Sequence, residues 1–422
     1  MSIFDVYSKC MLASIITIGD EILIGQTVDT NSAWLGEKLF QIGFTVRQIH
    51  SISDKPDEII RAIDEAIELV DLVIITGGLG PTNDDLTKKT LVTYFGSELL
   101  LDAEVLIRLE NYFNGRKIEI KESHKLQAML PNNAQKLINN YGTASGMWFE
   151  KNNKVIISLP GVPYEVKGIM EDFGLAKIQK TFKLPFLYKR TILTWGKGES
   201  FIAEIIKDWE KETTDSGIGV AYLPSPGIVK IRVSGSGDND QIRAKVDKRV
   251  EDLYQLISEY VFGEDNNKLE VSVGEELKRK GYTVASAESC TGGYIASLLT
   301  SVPGSSEYYK GSIIAYSNEI KINILGVSKI DLEKNGAVSE SVVKQMALNI
   351  RKIMGSDYGI ATSGIAGPTG GSEEKPVGSI WIAVASKNGV NATLLRLGRQ
   401  RSTNIKVSSI MCLGKLLKEI QL

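Results

Sequence analysis

Short apolar runs of strand-forming residues alternate with helical patterns at the start of the chain, and this alternation constrains the fold more than any other feature. Three such runs end in turns, namely "ASIITIGDE", "TVRQIHSIS" and "DLVIITGG". The segments between them carry apolar residues at helical spacing, and Asn31 is the predicted cap of the first helix. This order predicts a parallel, doubly wound sheet, in which ligands bind at the carboxyl ends of the strands.

A second alternation of the same kind begins near residue 271, with strand patterns such as "YTVASAES" and "YGIATSG". The stretch between the two regions has the pattern of a small α+β unit, and the polar run at 262–270 predicts a linker. A chain of 422 residues is too long for one hydrophobic core. We therefore predict two doubly wound α/β domains, at 1–168 and 263–422, joined by a small α+β domain at 169–262.

Composition and charge favour a protein that acts on small molecules. The formal net charge of −2 gives no electrostatic footprint for nucleic acid. No apolar run approaches the roughly 18 residues of a membrane span, and no signal peptide is evident. The three cysteines are too few and too scattered for a disulfide framework or a zinc site. We expect a cytoplasmic protein with small-molecule partners that binds neither nucleic acid nor membrane.

The loops that follow the first strands carry candidate ligand-binding groups. Glycines let backbone N–H groups approach an anion closely, and a helix start adds a partial positive charge. Carboxylates at neighbouring strand ends suit a divalent cation that bridges phosphates. The candidates are Gly77, Gly78, Gly80, Thr82, Asp84 and Asp85 of "GGLGPTNDD", with Asp20 and Asp54. A tight turn in which Asp85 caps the next helix explains the same loop equally well.

The segment "SAESCTGGYIASLL" places three candidate nucleophiles, Ser289, Cys290 and Thr291, between a predicted strand and a predicted helix. Residues 271–422 contain no histidine, since the two histidines of the chain are His50 and His124. A Ser-His-Asp triad is therefore excluded within this region. A lysine is the alternative base if burial lowers its pKa enough to leave a neutral amine.

Each of these groups has a second explanation. Ser289 is equally suited to cap the following helix. Cys290 fits a small buried packing residue, because Glu288 beside it has the wrong sign to stabilise a thiolate. If Ser289 is a nucleophile, an oxyanion is expected to meet free backbone amides, those of Thr291, Gly292 and Gly293.

Three N-terminal segments resemble the N-terminal domain of the CinA family (competence/damage-inducible protein A). They are "TIGDEILIGQTVDTNSAWL", "DLVIITGGLGPTNDDLT" and "SLPGVPYEV". That domain is similar to the molybdopterin-binding fold. The resemblance implies a metal-dependent pyrophosphatase that acts on ADP-ribose and uses Mg²⁺, Mn²⁺ or Co²⁺. It places an essential Asp at Asp85 and a second acidic position at Asp54, with Asp20 able to reach the same cavity. Ser145 stands where the family pattern has Pro.

Three C-terminal motifs, "AESCTGG", "AYSNEIK" and "GIAGPTGG", resemble the C-terminal domain of the same family, which also exists as a free-standing nicotinamide mononucleotide deamidase. The resemblance implies a Ser/Lys hydrolase without a cofactor, in which Ser289 is the nucleophile and Lys321 the base. The alternative is that Lys321 is an ordinary solvated residue of a helix, and only the motif argues against that alternative. The family's further site positions match Tyr316, Ser363 and Arg401, with Gly364 and Gly367 in the glycine-rich loop. Arg399 lies two residues from Arg401 and leaves that match uncertain.

The hypothesis from the whole sequence is an enzyme of pyridine-nucleotide salvage, expected to be a homodimer, whose substrates are nicotinamide mononucleotide and ADP-ribose. Two other hypotheses stay open. The N-terminal domain is alternatively a molybdopterin-binding or adenylyl-transfer domain, and the whole chain is alternatively a non-enzymatic scaffold related to competence.

Overall fold

The computed structural model describes residues 11–80, 86–237 and 239–422. The chain divides into two compact units. The first extends to Tyr188 and takes in Gly235–Arg243, and the second consists of Lys189–Ser234 and Ala244–Leu422. Within the described ranges, no helix is both long enough and apolar enough to cross a membrane.

The first unit is built on a six-stranded sheet in the order β2-β1-β3-β8-β7-β6. Its strands are β1 (Met11–Ile18), β2 (Phe44–Ile52), β3 (Leu72–Thr76), β6 (Gln135–Leu137), β7 (Gly146–Lys151) and β8 (Lys154–Leu159), beside a two-stranded pair of β4 (Leu99–Leu101) and β5 (Met129–Pro131). The first four strands in the sheet order are parallel, whereas the pairings of β7 with β8 and of β6 with β7 are antiparallel. The predicted parallel sheet is therefore confirmed and carries an antiparallel extension.

The side chains that point to either face of this sheet are apolar, and helices therefore cover both faces. Ile15 and Ile74 pack against Leu35 on one face, and Ile16 and Ile75 belong to the core on the other face. The helices are α1 (Asp20–Leu23), α2 (Thr30–Gln41), α3 (Pro56–Leu69), α4 (Thr87–Tyr94), α5 (Ala103–Asn114), α6 (Glu122–Lys125), α7 (Pro163–Ile169) and α8 (Leu175–Thr181).

The cap of α2 differs from the prediction. Asp29, not Asn31, is the N-cap residue, and its carboxylate accepts a hydrogen bond from the Ser32 amide at 2.9 Å. Asn31 lies inside the helix and its side chain donates to the Gly161 carbonyl at 2.8 Å. The prediction was wrong because both residue types are good caps and the pattern did not distinguish between positions two residues apart.

The middle of the chain forms a four-stranded sheet in the order β10-β11-β9-β12. Its elements are β9 (Phe186–Trp195), α9 (Glu199–Ile205), α10 (Lys207–Asp215), β10 (Gly219–Ser225), β11 (Ile228–Gly237), α11 (Asn239–Ile257) and β12 (Val261–Glu264). The predicted linker is wrong at both ends. Phe262 is buried and β12 pairs with β9, and Leu269 and Glu270 are buried at the start of the next helix. Glu264 at the end of β12 forms an ion pair with Arg190. This polar residue therefore belongs to the folded sheet and not to a linker.

The last part of the chain forms a five-stranded sheet in the order β14-β13-β15-β16-β17. Its elements are α12 (Leu269–Lys280), β13 (Val284–Glu288), α13 (Tyr294–Thr300), β14 (Tyr309–Ile314), α14 (Asn318–Asn323), α15 (Lys329–Asn335), α16 (Glu340–Ile353), β15 (Tyr358–Gly364), β16 (Ser379–Ser386), β17 (Gly389–Arg396) and α17 (Arg401–Gln421). Strands β14, β13 and β15 are parallel, and β16 and β17 add an antiparallel edge. The predicted α/β sheet is confirmed with this addition.

One hydrophobic core joins the middle sheet to the C-terminal sheet. Leu193, Trp195 and Phe262 belong to the same cluster of buried side chains as Leu413 of α17. Trp195 lies so close to Gly414 that a Cβ atom at that glycine would sit 2.2 Å from the indole ring. The two parts of the second unit are therefore packed as one body rather than tethered.

This shared core predicts that a fragment of residues 265–422 is less stable than a fragment of residues 189–422. The shorter fragment exposes the α17 surface that Trp195 covers, whereas the longer one retains it. Thermal unfolding of both fragments, followed by circular dichroism, measures the difference. Trp195→Ala in the longer fragment is the matched control and is expected to cost about 3–5 kcal/mol. Equal melting temperatures for the two fragments contradict the prediction.

Candidate active sites

Ser289 occupies the first position after β13, at the carboxyl end of the parallel strands. Its amide donates to the Thr362 carbonyl of β15 at 3.0 Å, which holds the turn against the neighbouring strand. The residue is 8% exposed. Its hydroxyl therefore lies at the edge of the sheet where an α/β fold binds its ligands.

Lys321 is buried beside this hydroxyl. Its Nζ lies 3.0 Å from Ser289 Oγ, 2.7 Å from the Ala315 carbonyl oxygen and 3.5 Å from the Tyr316 carbonyl oxygen. The residue is 1% exposed and forms no ion pair within the described residues. Burial lowers the pKa of the Lys321 amine, because desolvation penalises its charged form.

The carboxylate of Glu288 organises the turn that carries Ser289. It accepts hydrogen bonds from the amides of Gly293, Ile295 and Ala296 at 3.0, 3.1 and 2.8 Å. It also accepts one from the Thr291 hydroxyl at 2.7 Å, and the side chain is fully buried. Glu288 thus takes the capping role at the start of α13, and the alternative of Ser289 as a helix cap is wrong.

Two of the three amides expected to face an oxyanion are already used. The Gly293 amide donates to Glu288, and the Gly292 amide donates to the Ser289 carbonyl at 3.1 Å. The expectation of three free amides is therefore wrong, since the turn consumes its own donors. The amides of Cys290 and Thr291 form no hydrogen bond to another residue in the described part of the chain.

Cys290 is enclosed by the hydrophobic core and is 6% exposed. Burial raises the pKa of its thiol to about 12. A thiol with such a pKa is almost entirely protonated at neutral pH, and the thiolate is the nucleophilic form. The geometry favours the interpretation of Cys290 as a packing residue.

Arg401, at the start of α17, connects two of the predicted motifs. Its Nη1 donates to the Gly367 carbonyl at 3.0 Å and its Nη2 to the Tyr316 hydroxyl at 2.9 Å. Tyr316 directly follows Ala315, whose carbonyl contacts Lys321. The structure therefore links Arg401, Tyr316 and the glycine-rich loop after Gly364 into one edge beside the buried pair. Among the described residues, Arg399 forms no hydrogen bond of its side chain.

Among the described residues, the Ser363 side chain forms no hydrogen bond with Ser289 or Lys321. Its hydroxyl donates to the Ala337 carbonyl at 2.7 Å. Neighbouring side chains of a strand point to opposite faces, and it is Thr362 whose hydroxyl lies 2.7 Å from that of Thr291. Sequence reasoning missed Thr362 and the role of Glu288. A carboxylate directly before a strand–helix turn was the available signal for Glu288.

In the first unit, the strand ends surround a cleft of about 610 Å³ that includes Asp54, Gly77, Gly78 and Gly80. At Gly78 a Cβ atom would lie 2.1 Å from the Thr87 hydroxyl, so only glycine fits at this point. Thr82, Asp84 and Asp85 lie outside the described residues.

The predicted carboxylates are not all brought to this cleft. Asp54 and Glu21 line it, whereas Asp20 is exposed at the start of α1 and is not among the lining residues. Within residues 11–80, 86–237 and 239–422, no three His, Cys, Asp or Glu side chains are grouped so as to hold a metal ion. Two carboxylates nevertheless fit Mg²⁺, which in phosphate sites uses one or two carboxylates together with the substrate.

A braced loop forms another wall of the cleft. Arg108 Nη1 donates to the Gly142 carbonyl at 2.8 Å and its Nη2 to the Thr143 carbonyl at 3.1 Å. Asn139 accepts from the Gly142 amide at 2.9 Å and donates to Glu165 at 2.6 Å. Burial raises the pKa of the Glu165 carboxyl, against the opposing effects of Asn139 and Arg108.

Comparison with known proteins gives three family matches in chain order. Residues 14–180 match a probable molybdopterin binding domain, residues 189–263 a damage-inducible protein CinA KH domain, and residues 266–420 the CinA C-terminal domain. The chain is 49% identical over 410 residues to a CinA-like protein of Cytophaga hutchinsonii, which covers 97% of this chain and 98% of that protein. It is 40% identical to a putative competence-damage inducible protein of Halothermothrix orenii, over 90% of this chain and 91% of that protein.

Among solved structures, the protein CinA from Thermoplasma acidophilum is 34% identical. The match covers 42% of this chain and all of that chain, with a TM-score of 0.37.

Proposed function

The chain belongs to the CinA family, and from this premise we propose that it is a hydrolase of pyridine-nucleotide salvage with two active sites. The C-terminal site hydrolyses the carboxamide of nicotinamide mononucleotide, giving nicotinate mononucleotide and ammonia. The observation that carries this proposal is the contact between the buried amine of Lys321 and the hydroxyl of Ser289. It is supported by the motif resemblance, which assigns the same two residues.

The surroundings of Lys321 suit a neutral amine that acts as a base. Two carbonyl oxygens, those of Ala315 and Tyr316, lie where its N–H groups can donate, and the Ser289 hydroxyl occupies a third direction. With the N–H groups directed to the carbonyls, the lone pair is left for the proton of Ser289. Because burial lowers the pKa of this amine, the neutral form is populated at lower pH than for an exposed lysine.

The reaction then follows as acyl transfer. Ser289 Oγ bonds to the carboxamide carbon while its proton passes to Lys321 Nζ. Lys321 delivers that proton to the departing nitrogen as the C–N bond breaks, which releases ammonia and leaves an acyl-serine ester. Water then adds to the ester carbon while its proton passes to Lys321. The bond from that carbon to Ser289 Oγ breaks, Lys321 returns the proton to Oγ, and nicotinate mononucleotide is released. The amides of Cys290 and Thr291, which have no other partner among the described residues, are the donors we assign to the oxyanion.

Arg401 is the group we assign to the phosphate of the substrate. Guanidinium groups bind phosphate through parallel N–H donors, and Arg401 is exposed at the edge formed with Tyr316 and Gly367. Gly364 and Gly367 allow backbone to approach the substrate closely. Ser363 stays a prediction of the resemblance, with a supporting role in holding the Ala337 loop.

The N-terminal site is proposed to hydrolyse ADP-ribose at its pyrophosphate. Asp54 and Glu21 line the cleft and would hold a divalent cation together with Asp85, and the cation would supply charge neutralisation of the phosphates. The backbone of Gly77, Gly78 and Gly80, with Thr82 beyond them, is suited to contact the same phosphates.

A second candidate function for this site is molybdopterin binding, which the match of residues 14–180 favours. Binding of molybdopterin without turnover of ADP-ribose would support it. Absence of both hydrolytic activities in the purified chain would instead support the competence-related scaffold suggested by the names of the relatives.

Removing either member of the pair is expected to abolish deamidation. Ser289→Ala and Lys321→Ala should each lower kcat by several orders of magnitude, and the double variant should be scarcely worse, because the two groups act as one unit. Ammonia release from nicotinamide mononucleotide is the measurement. Cys290→Ala is the matched control and should retain most activity. A fully active Ser289→Ala variant, or a folded but inactive Cys290→Ala variant, overturns the assignment.

The pH dependence of deamidation tests the protonation state of Lys321. The amine is a base only when neutral, so kcat/KM should rise with pH and level off above the lowered pKa of Lys321, below the ordinary lysine range. A pH–rate profile of the full-length protein measures this. Lys321→Arg preserves the charge but stays protonated, and should be inactive across the profile. A rate that falls with rising pH over the same range contradicts the role.

Substitution at the N-terminal carboxylates is expected to separate the two activities. Asp54→Asn and Asp85→Asn should each abolish metal-dependent hydrolysis of ADP-ribose and leave deamidation nearly unchanged, since effects at separated sites are usually independent. Both activities are assayed on the same preparation. Asp57→Asn in the first turn of α3 is the control, because Asp57 does not line the cleft. Equal loss of both activities in a folded variant refutes the separation.

A further inference from the structure

The cleft of the first unit contains two polar side chains that neither the parallel strands nor the glycine-rich loop explains. Glu165 and Gln127 both line it, with exposed fractions of 7% and 3%. Neither was a candidate from the sequence. A buried polar group without its hydrogen bonds is costly, so each such group in a binding cleft requires an explanation.

Gln127 is unsatisfied at both ends of its carboxamide. Its Nε2 and Oε1 are buried and have no hydrogen-bond partner among the described residues. The backbone on either side is well held, since the Gln127 carbonyl accepts from Lys88 and Met129 begins β5. The side chain lines the cleft, and no group among the described residues receives the donor or the acceptor of its amide.

Glu165 has one oxygen in use. Its Oε2 accepts from Asn139 at 2.6 Å, while Oε1 forms no hydrogen bond with the described residues. The carboxyl packs directly against Gly142, where a Cβ atom would lie 2.2 Å from its carbon. Arg108 and Asn139 brace the loop on which the carboxyl rests.

Charge decides which part of a ligand meets this wall. A carboxylate repels pyrophosphate oxygens, so the phosphates belong with the amide of Gly78 and the cation, away from Glu165. A neutral part of the ligand that carries hydroxyl donors is favoured at a carboxyl oxygen. A planar heterocycle with adjacent donor and acceptor atoms is the group that a Gln carboxamide binds through both of its ends.

We propose that Glu165 and Gln127 form the nucleoside subsite of this cleft, in which Glu165 binds the ribose hydroxyls and Gln127 the hydrogen-bonding edge of the base. The choice of a nucleoside rests on the proposed action on ADP-ribose. The subsite adds to that function a basis for selecting nucleotides over other pyrophosphates.

Three ligands distinguish the contact of Glu165 with the hydroxyls from the contact of Gln127 with the base. The affinity of each for the full-length protein with Mg²⁺ is measured by titration calorimetry. AMP carries the base and the hydroxyls, 2′,3′-dideoxy-AMP lacks the hydroxyls, and ribose 5-phosphate lacks the base. Wild-type protein should bind AMP about tenfold more tightly than dideoxy-AMP, as loss of one charged hydrogen bond implies, and more tightly than ribose 5-phosphate, which lacks the group that Gln127 binds. Equal affinities for AMP and dideoxy-AMP overturn the role of Glu165.

The variants assign each preference to a residue. Glu165→Ala should bind AMP and dideoxy-AMP equally, whereas Gln127→Leu should keep that ratio and lose its preference for AMP over ribose 5-phosphate. A variant that weakens all three probes alike has a merely structural role, which overturns its part of the proposal. If Glu165→Ala does not fold, Gly142→Ala displaces the carboxyl without removing it and should abolish the same ratio.

The outcome is distinguishable from failure of the proposed activity. If wild-type protein shows the AMP preferences but does not hydrolyse ADP-ribose, the result supports the subsite and contradicts the proposed reaction. If the protein hydrolyses ADP-ribose without these preferences, the result supports the reaction and contradicts the subsite.

Discussion

The C-terminal site depends on a single buried carboxylate. Glu288 accepts from three backbone amides and from the hydroxyls of Thr291 and Ser286, and these contacts fix the path of the chain from β13 into α13. Ser289 is the next residue, so its hydroxyl is placed by the same contacts that start the helix. A buried carboxylate is costly unless its hydrogen bonds are complete, and here the turn supplies them. Among the described residues Lys321 has no carboxylate partner, and burial lowers the pKa of its amine.

The two units position their sites by different means. In the second unit, side chains on neighbouring segments converge, with Lys321 held by the carbonyl of Ala315 and Ser289 by the strand beside it. In the first unit, glycines bring backbone against backbone, and the side chains that complete the cleft come from segments far apart in sequence. Gln127 and Glu165 are separated by almost forty positions and meet only at the cleft.

The sequence could predict the features that depend on residues close together in the chain, and it could not predict those that depend on residues far apart. Periodicity identified the parallel strands, because burial on both faces leaves a local pattern. Motif resemblance identified Ser289 and Lys321, whose contact the structure contains. The antiparallel edge strands, the use of the Gly293 amide and the place of Phe262 in the core were missed. Each of these depends on another group, which either accepts a hydrogen bond from a backbone amide or covers an apolar surface. No pattern of neighbouring residues indicates which group that is.

The packing of Trp195 on Gly414 has a consequence for how such a domain can exist alone. A helix that presents a glycine to an indole has a shallow depression on its surface, which water fills poorly once the indole is gone. Without the middle domain, a larger or more polar side chain in place of Gly414 would fill this depression. We therefore expect the residue at this position to differ between C-terminal domains of this family that have the middle domain beside them and those that lack it.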